Sequence, residues 1–187
     1  LEALAKDRLI RIEYLSAGAK TSKTMELVPH ALSHDLFSGG AYLMAWNPRR
    51  QMPILLRLNR VVSVKVLRQR GVITHPDRLQ RAMDYQIGGW ASDEEPFEIQ
   101  IRVWGASWIC SILEAPPALK DFEALLEDGG NSLLIRFKAN REEGPMRWVL
   151  QFGSCAEILE PAHLRQRLRE ELEESLKAYV HAGPAQP

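Results

Sequence analysis

From Arg8 onward apolar and polar positions alternate, with Ile10, Ile12 and Tyr14 on one side and Arg11 and Glu13 on the other. That is the period-two signal of a half-buried strand. Residues 16–20 then turn the chain. Met25 to Pro29 and Leu32 to Phe37 read as two short strands, and Ser38-Gly39-Gly40 supplies hairpin glycines before the apolar run Ala41 to Trp46. Asn47-Pro48-Arg49-Arg50 is turn chemistry, Ile54 to Leu58 a further strand, and Val62, Val64 and Val66 alternate with Ser63 and Lys65. So many short strands in so little chain predict a small antiparallel β-barrel. A brief helix over Pro76 to Tyr85, with Leu79, Ala82 and Met83 on one side, leads out of it.

The second half has a different rhythm. Phe97, Ile99, Ile101 and Val103 alternate as a strand, Ala106 to Leu113 suits a helix halted by Pro116-Pro117, and Leu133, Ile135 and Phe137 alternate again. Pro145 to Phe152 suits a helix ended by Gly153, and Ala156 to Leu159 a last strand. Leu119, Phe122, Leu125 and Leu126 have helical spacing, although a βαββαβ plan needs a strand there. Pro161 opens a final helix ending near Val180, with an apolar stripe of Leu164, Leu168, Leu172 and Leu176. Packing on its own sheet is the favoured use of that stripe, pairing with a second chain the other.

Composition changes this picture through charge. The net charge is zero, but residues 1–90 hold 14 Lys and Arg against 7 Asp and Glu, and residues 91–187 hold 10 against 17. The sign changes beside Gly88 to Pro96, whose glycines, acidic run and proline read as a connection. The expected division is a first domain over 1–70, a helical linker over 71–95 and a second domain over 96–187. A basic first half favours anionic partners; the alternative is that the two halves attract each other. No window has the apolar length of a membrane span and the first residues lack a secretion signal, so a cytoplasmic location without membrane association is expected. The start at Leu1, inside an amphipathic segment, reads as a fragment of a longer chain.

Catalytic patterns are missing. There is no phosphate-binding G-x-x-x-x-G-K loop, no G-x-S-x-G elbow and no triad spacing. Cys110 and Cys155 lie in apolar stretches and read as small core residues. His30 and His34 are four apart, but on a strand that spacing forms no zinc site, and no Cys or third His is near. Neither a cofactor nor a metal is expected, and the chain reads as a non-enzyme.

Four runs in order, Ile12-Glu13-Tyr14, Leu27 to Leu32 around Pro29, Ala41 to Trp46 and Arg57-Leu58-Asn59-Arg60-Val61, resemble the WYL domain of bacterial transcription factors. Tyr42 and Leu43 match the family's naming strand, with Ala41 where its tryptophan stands. Met25 occupies a position where the family commonly has a basic residue. The second half, through Trp148 to Gly153 and Ile158 to Pro161, is similar to the WCX extension that often follows WYL domains.

The resemblance implies an α+β chain: an Sm-like antiparallel β-barrel, then a ferredoxin-like βαββαβ domain with a C-terminal helix. It also implies a ligand-sensing, dimerising region of a transcriptional regulator, whose DNA-reading helix-turn-helix lies N-terminal to this sequence. The implied effector is anionic, single-stranded nucleic acid or a nucleotide. Tyr42, Arg57 and Arg60 match the family's motifs. A turn at Asn59 would let both arginines meet phosphate beside the Tyr42 ring, which provides a stacking surface; otherwise they are two surface arginines and a half-buried tyrosine. His30 joins this set only because it follows Pro29. The competing function is a constitutive oligomerisation module that binds no ligand, and a nucleotide-directed enzyme is the third.

Overall fold

The computed structural model describes residues 2–35 and 39–181. They divide into two compact units, Leu1–Pro96 and Phe97–Pro187. Leu36 and Phe37 of the expected strand and Ser38 of the expected hairpin lie outside the described residues.

In the first unit a short helix α1 (Glu2–Ala5) precedes β1 (Arg8–Tyr14), β2 (Lys23–Asp35), β3 (Gly40–Asn47), β4 (Met52–Arg57) and β5 (Val61–Arg70). They form one antiparallel sheet in the order β4-β3-β2-β1-β5. The sheet is open: among the described residues β4 and β5 are its two edges and are not paired with each other, so the expected closed barrel is not formed. The two strands expected around Pro29 are one. β2 pairs through its first half with β1 and through its second with β3, and the break in pattern is a bulge between Pro29 and Ala31. Proline has no N–H to give a ladder, which is why a bulge accommodates it.

Alternate residues of the central strands enter two different cores. Leu27, Leu43, Ala45 and Leu56 join Ile10, Ile12 and Tyr14 on one side. Val28, Met44 and Trp46 join Leu79 and Ala82 of α2 (Pro76–Asp84) on the other. Burial on both faces explains why Leu43 to Trp46 reads as an unbroken apolar run. Arg78 of α2 stacks 5.9 Å from the Trp46 ring, pairs with Asp93 and donates to the Gln51 carbonyl at 2.8 Å.

The second unit runs β6 (Phe97–Trp104), α3 (Ala106–Glu114), β7 (Glu123–Glu127), β8 (Ser132–Ala139), α4 (Glu143–Leu150), β9 (Ala156–Glu160) and α5 (Ala162–His181). Its antiparallel sheet has the order β7-β8-β6-β9. The segment with helical spacing is strand β7, paired from Glu123 opposite Arg136 to Glu127 opposite Ser132. Five residues are too few for periodicity to decide, and the hydrogen bonds of an adjacent sheet edge override it. Ile99, Ile101, Ile135 and Phe137 are fully buried. Phe137, Trp148, Phe152 and Trp108 form a chain of edge-to-face ring contacts with centroids 5.0 to 5.4 Å apart.

Two further expectations change. Cys110 is exposed on α3 and Cys155 only half-buried, so neither is a fully buried core residue. In α5, Leu164 and Leu168 are buried, whereas Leu172 and Leu176 are 50% and 63% exposed. Only the first half of the stripe packs within the unit. None of the helices among the described residues is long and apolar enough to cross a membrane.

Candidate ligand site on the first sheet

Tyr42 sits on β3 with Ser33 of β2 directly opposite on one side and Arg57 of β4 directly opposite on the other. The three form one cross-strand row, where side chains of directly paired residues meet. Their face is that of Met44 and Trp46, the side on which α2 packs.

The loop after α2 closes over this row. A β-carbon on Gly89 would lie 2.4 Å from the Tyr42 hydroxyl oxygen, so the backbone there rests on the phenol. Gly88 has φ +60°, and a β-carbon on it would lie 3.1 Å from the buried Asp35 carboxylate. Reciprocal backbone bonds of 3.2 and 3.3 Å between Ile87 and Trp90 hold the turn. Gln86 Nε2 donates to the Gly88 carbonyl at 2.7 Å and to Ser33 Oγ at 3.4 Å. These contacts escape sequence reasoning, which treats 88–96 as a connection. The signal was the glycine pair itself, since paired glycines often mark a close backbone approach.

Arg57 is half-buried at the end of β4, and its backbone N–H donates to the Tyr14 hydroxyl at 3.3 Å. Its buried side-chain Nε has no hydrogen-bond partner among the described residues. Among the described residues no carboxylate pairs with Arg57 or Arg60, whereas Arg78, Arg81 and Arg102 all have such partners. An unsatisfied buried donor costs about 1–3 kcal/mol, more when charged.

Leu58–Arg60 form a 3-10 turn with Arg57 at its start. The Arg60 carbonyl accepts from the Leu15 N–H at 3.0 Å, tying the turn to the end of β1. The turn removes the strand alternation that would have set the two arginines on opposite faces.

His30 is not brought into the row. It is exposed in the β2 bulge, three residues before Ser33, about 10 Å along the strand at the usual rise. His34 is also exposed, and among the described residues no group of three His, Cys, Asp or Glu side chains could hold a metal ion. Met25 faces the other core, opposite Ile12. Ala41 is exposed opposite His34.

Residues 1–66 match the model of the WYL domain and residues 95–176 that of the WCX domain. Protein PafC of Mycobacterium tuberculosis, strains CDC 1551/Oshkosh and H37Rv, is 28% identical over 183 residues, covering 97% of this chain and 54% of PafC. The chain thus spans about half the length of the curated relatives it matches. A solved structure described as a CRISPR Cas-related protein is similar in fold at 14% identity, TM-score 0.55, over 98% of this chain and 50% of that one. Proteasome accessory factor B/C (PafBC) of Arthrobacter aurescens matches at 21% identity, TM-score 0.37, over 95% of this chain and 26% of that one.

Proposed function

Because the chain belongs to the family that joins a WYL domain to a WCX domain, and is homologous to PafC, we propose that it is the effector-sensing region of a transcriptional regulator and not an enzyme. In this reading the first unit is an opened Sm-like sheet and the second a ferredoxin-like domain. DNA recognition in the complete protein falls to a helix-turn-helix N-terminal to this sequence.

The ligand is an anion, single-stranded nucleic acid or a nucleotide, held by Arg57 and Arg60 with a base against Tyr42. One observation carries the assignment: the guanidinium directly opposite Tyr42 has a buried, unpaired Nε. A phosphate oxygen would satisfy that donor, and the neighbouring phenol offers a stacking face. Binding switches the regulator only if the ligand has different affinities for two states of it.

Fluorescence anisotropy with short single-stranded DNA and RNA across a salt series tests the reading. Arg57→Ala with Arg60→Ala should weaken binding at least tenfold and flatten the log-log salt slope by about 1–1.5, the share of two single-strand phosphate contacts. Unchanged affinity for oligonucleotides and nucleotides in the double variant would sink the site assignment.

The second reading, a constitutive oligomerisation module that binds no ligand, draws on α5. Leu172, Leu176, Tyr179 and Val180 form an exposed apolar row on its outer half. We assign that row to a homodimer contact, which both readings accommodate.

A further inference from the structure

Between the leading half of β2 and the β3–β4 turn of the first sheet lies a groove of about 680 Å³. Its volume is in the range of small-molecule sites. Its floor includes Tyr14, Met25, Ile54 and Leu56. Tyr14 and Leu56 belong to one of the two cores of the sheet, and Met25 and Ile54 are its partly buried members. The floor is therefore the core itself coming to the surface, and an alkyl or aryl group laid there would extend it.

The rim is cationic. Lys23, Arg49 and Arg50 border the groove, and among the described residues none of their side chains has a hydrogen-bond or ion-pair partner. The remaining rim cation, Arg11, is already paired with Glu26 at 2.7 Å. Arg49 and Arg50 are held on a built turn. The buried Asn47 side chain accepts from both of their backbone N–H groups at 3.1 and 3.0 Å, and Gln51 closes the turn on the Asn47 carbonyl at 2.8 Å.

We infer that this groove is a second binding site, separate from the Tyr42 row, for an amphipathic anion: a carboxylate or phosphate carrying an aliphatic or aromatic tail. The tail lies on Met25, Ile54 and Leu56, and the head group meets Lys23, Arg49 and Arg50. A bare anion gains nothing from the floor, and an uncharged amphiphile nothing from the rim. The inference is independent of the reading of Arg57 and Arg60.

The test titrates octyl phosphate and octanoate, below their micelle concentrations, into the full chain, following the Met25 and Ile54 methyl signals by NMR. Inorganic phosphate and octyl glucoside are the single-feature controls. The expected result is saturable binding of at least one amphipathic anion with shifts at both methyls, and binding at least tenfold weaker for each control. The better of the two head groups tells whether the rim prefers a phosphate or a carboxylate. Lys23→Ala with Arg49→Ala and Arg50→Ala should weaken the amphipathic anion at least tenfold, and Arg57→Ala with Arg60→Ala should leave it within twofold.

Met25→Arg provides a check that keeps the rim intact, and should lower affinity for octyl phosphate while raising it for inorganic phosphate. Equal binding of octyl glucoside, full binding by the rim variant, shifts confined to the Tyr42 face, or no saturable binding of either anion would each overturn the site.

Discussion

Tyr42 and Arg57 are direct cross-strand partners in the β3–β4 ladder, and the arginine's Nε is buried without a partner beside that pairing. The pair places an aromatic face and an uncompensated cation together on one face of the sheet, at a cost the free protein bears. Sites arranged for a ligand commonly hold such a cost in reserve.

Arg57→Leu separates that cost from function. Removing the unsatisfied donor while keeping an apolar stem should leave the ligand-free protein as stable as before or more stable by about 1–2 kcal/mol, while oligonucleotide binding falls. Chemical denaturation and anisotropy on the same preparation read both quantities. A loss of more than about 1 kcal/mol would mean the guanidinium is already satisfied in the free protein.

Gly89→Ala addresses the loop over the phenol. The added carbon would lie 2.4 Å from the Tyr42 hydroxyl oxygen, so ring or loop must move. Overpacking of this kind costs about 1–3 kcal/mol. Tyr42→Phe removes the clashing oxygen, so the double variant should recover part of the loss. A double-mutant cycle measures the coupling, and additivity within experimental error would show that the two residues do not touch.

On α5, Leu172→Glu with Leu176→Glu should shift a dimer to monomer in sedimentation equilibrium while changing the monomer's stability by no more than about 0.5 kcal/mol, as expected of exposed positions. A preserved dimer would place the self-association contact elsewhere.

Glu143 opens α4 with a pH-sensitive contact. Burial pushes its carboxyl upward, but its own backbone N–H, the Arg141 guanidinium at 2.9 Å and the charge of Arg167 together hold it below the ordinary carboxylate value. A lowered folded-state value means that the stabilisation is present above the unfolded value, about 4.3, and is lost as pH falls through the folded one. Glu143→Gln should therefore flatten the fall in Tm between about pH 5 and pH 3. Parallel Tm profiles for the two proteins would remove this contact from the acid sensitivity.

Much of this architecture was legible where burial is one-sided. Ile10, Ile12 and Tyr14 alternate because β1 has one face in the core, and Ile99, Ile101 and Val103 do so for the same reason in β6. Legibility failed where a long-range partner decided the outcome. Leu125 and Leu126 lie on opposite faces of an edge strand, both more than half exposed or nearly so, a placement that only β8 imposes. Of the site, the arginine pair and Tyr42 were visible as residues in a motif. Their relation was less so, because the open sheet, the 3-10 turn and the loop through Gly89 are set by contacts between distant segments. His30 shows the converse, since proximity to Pro29 in sequence did not bring it to the Tyr42 row.

The bulge at His30 nevertheless governs that row. Before it, Val28 is opposite Trp46, and after it Ser33 is opposite Tyr42, a count that includes one residue more on β2 than on β3. The extra residue acts as a phase shift. Were His30 paired in regular register instead of left out, the same ladder would carry Leu32 to Tyr42 and move Ser33 on to Ala41. The looping-out of this one residue, more than any side chain nearby, sets which chemistry faces the phenol, and removal of His30 would straighten β2 with Ser33 still opposite Tyr42.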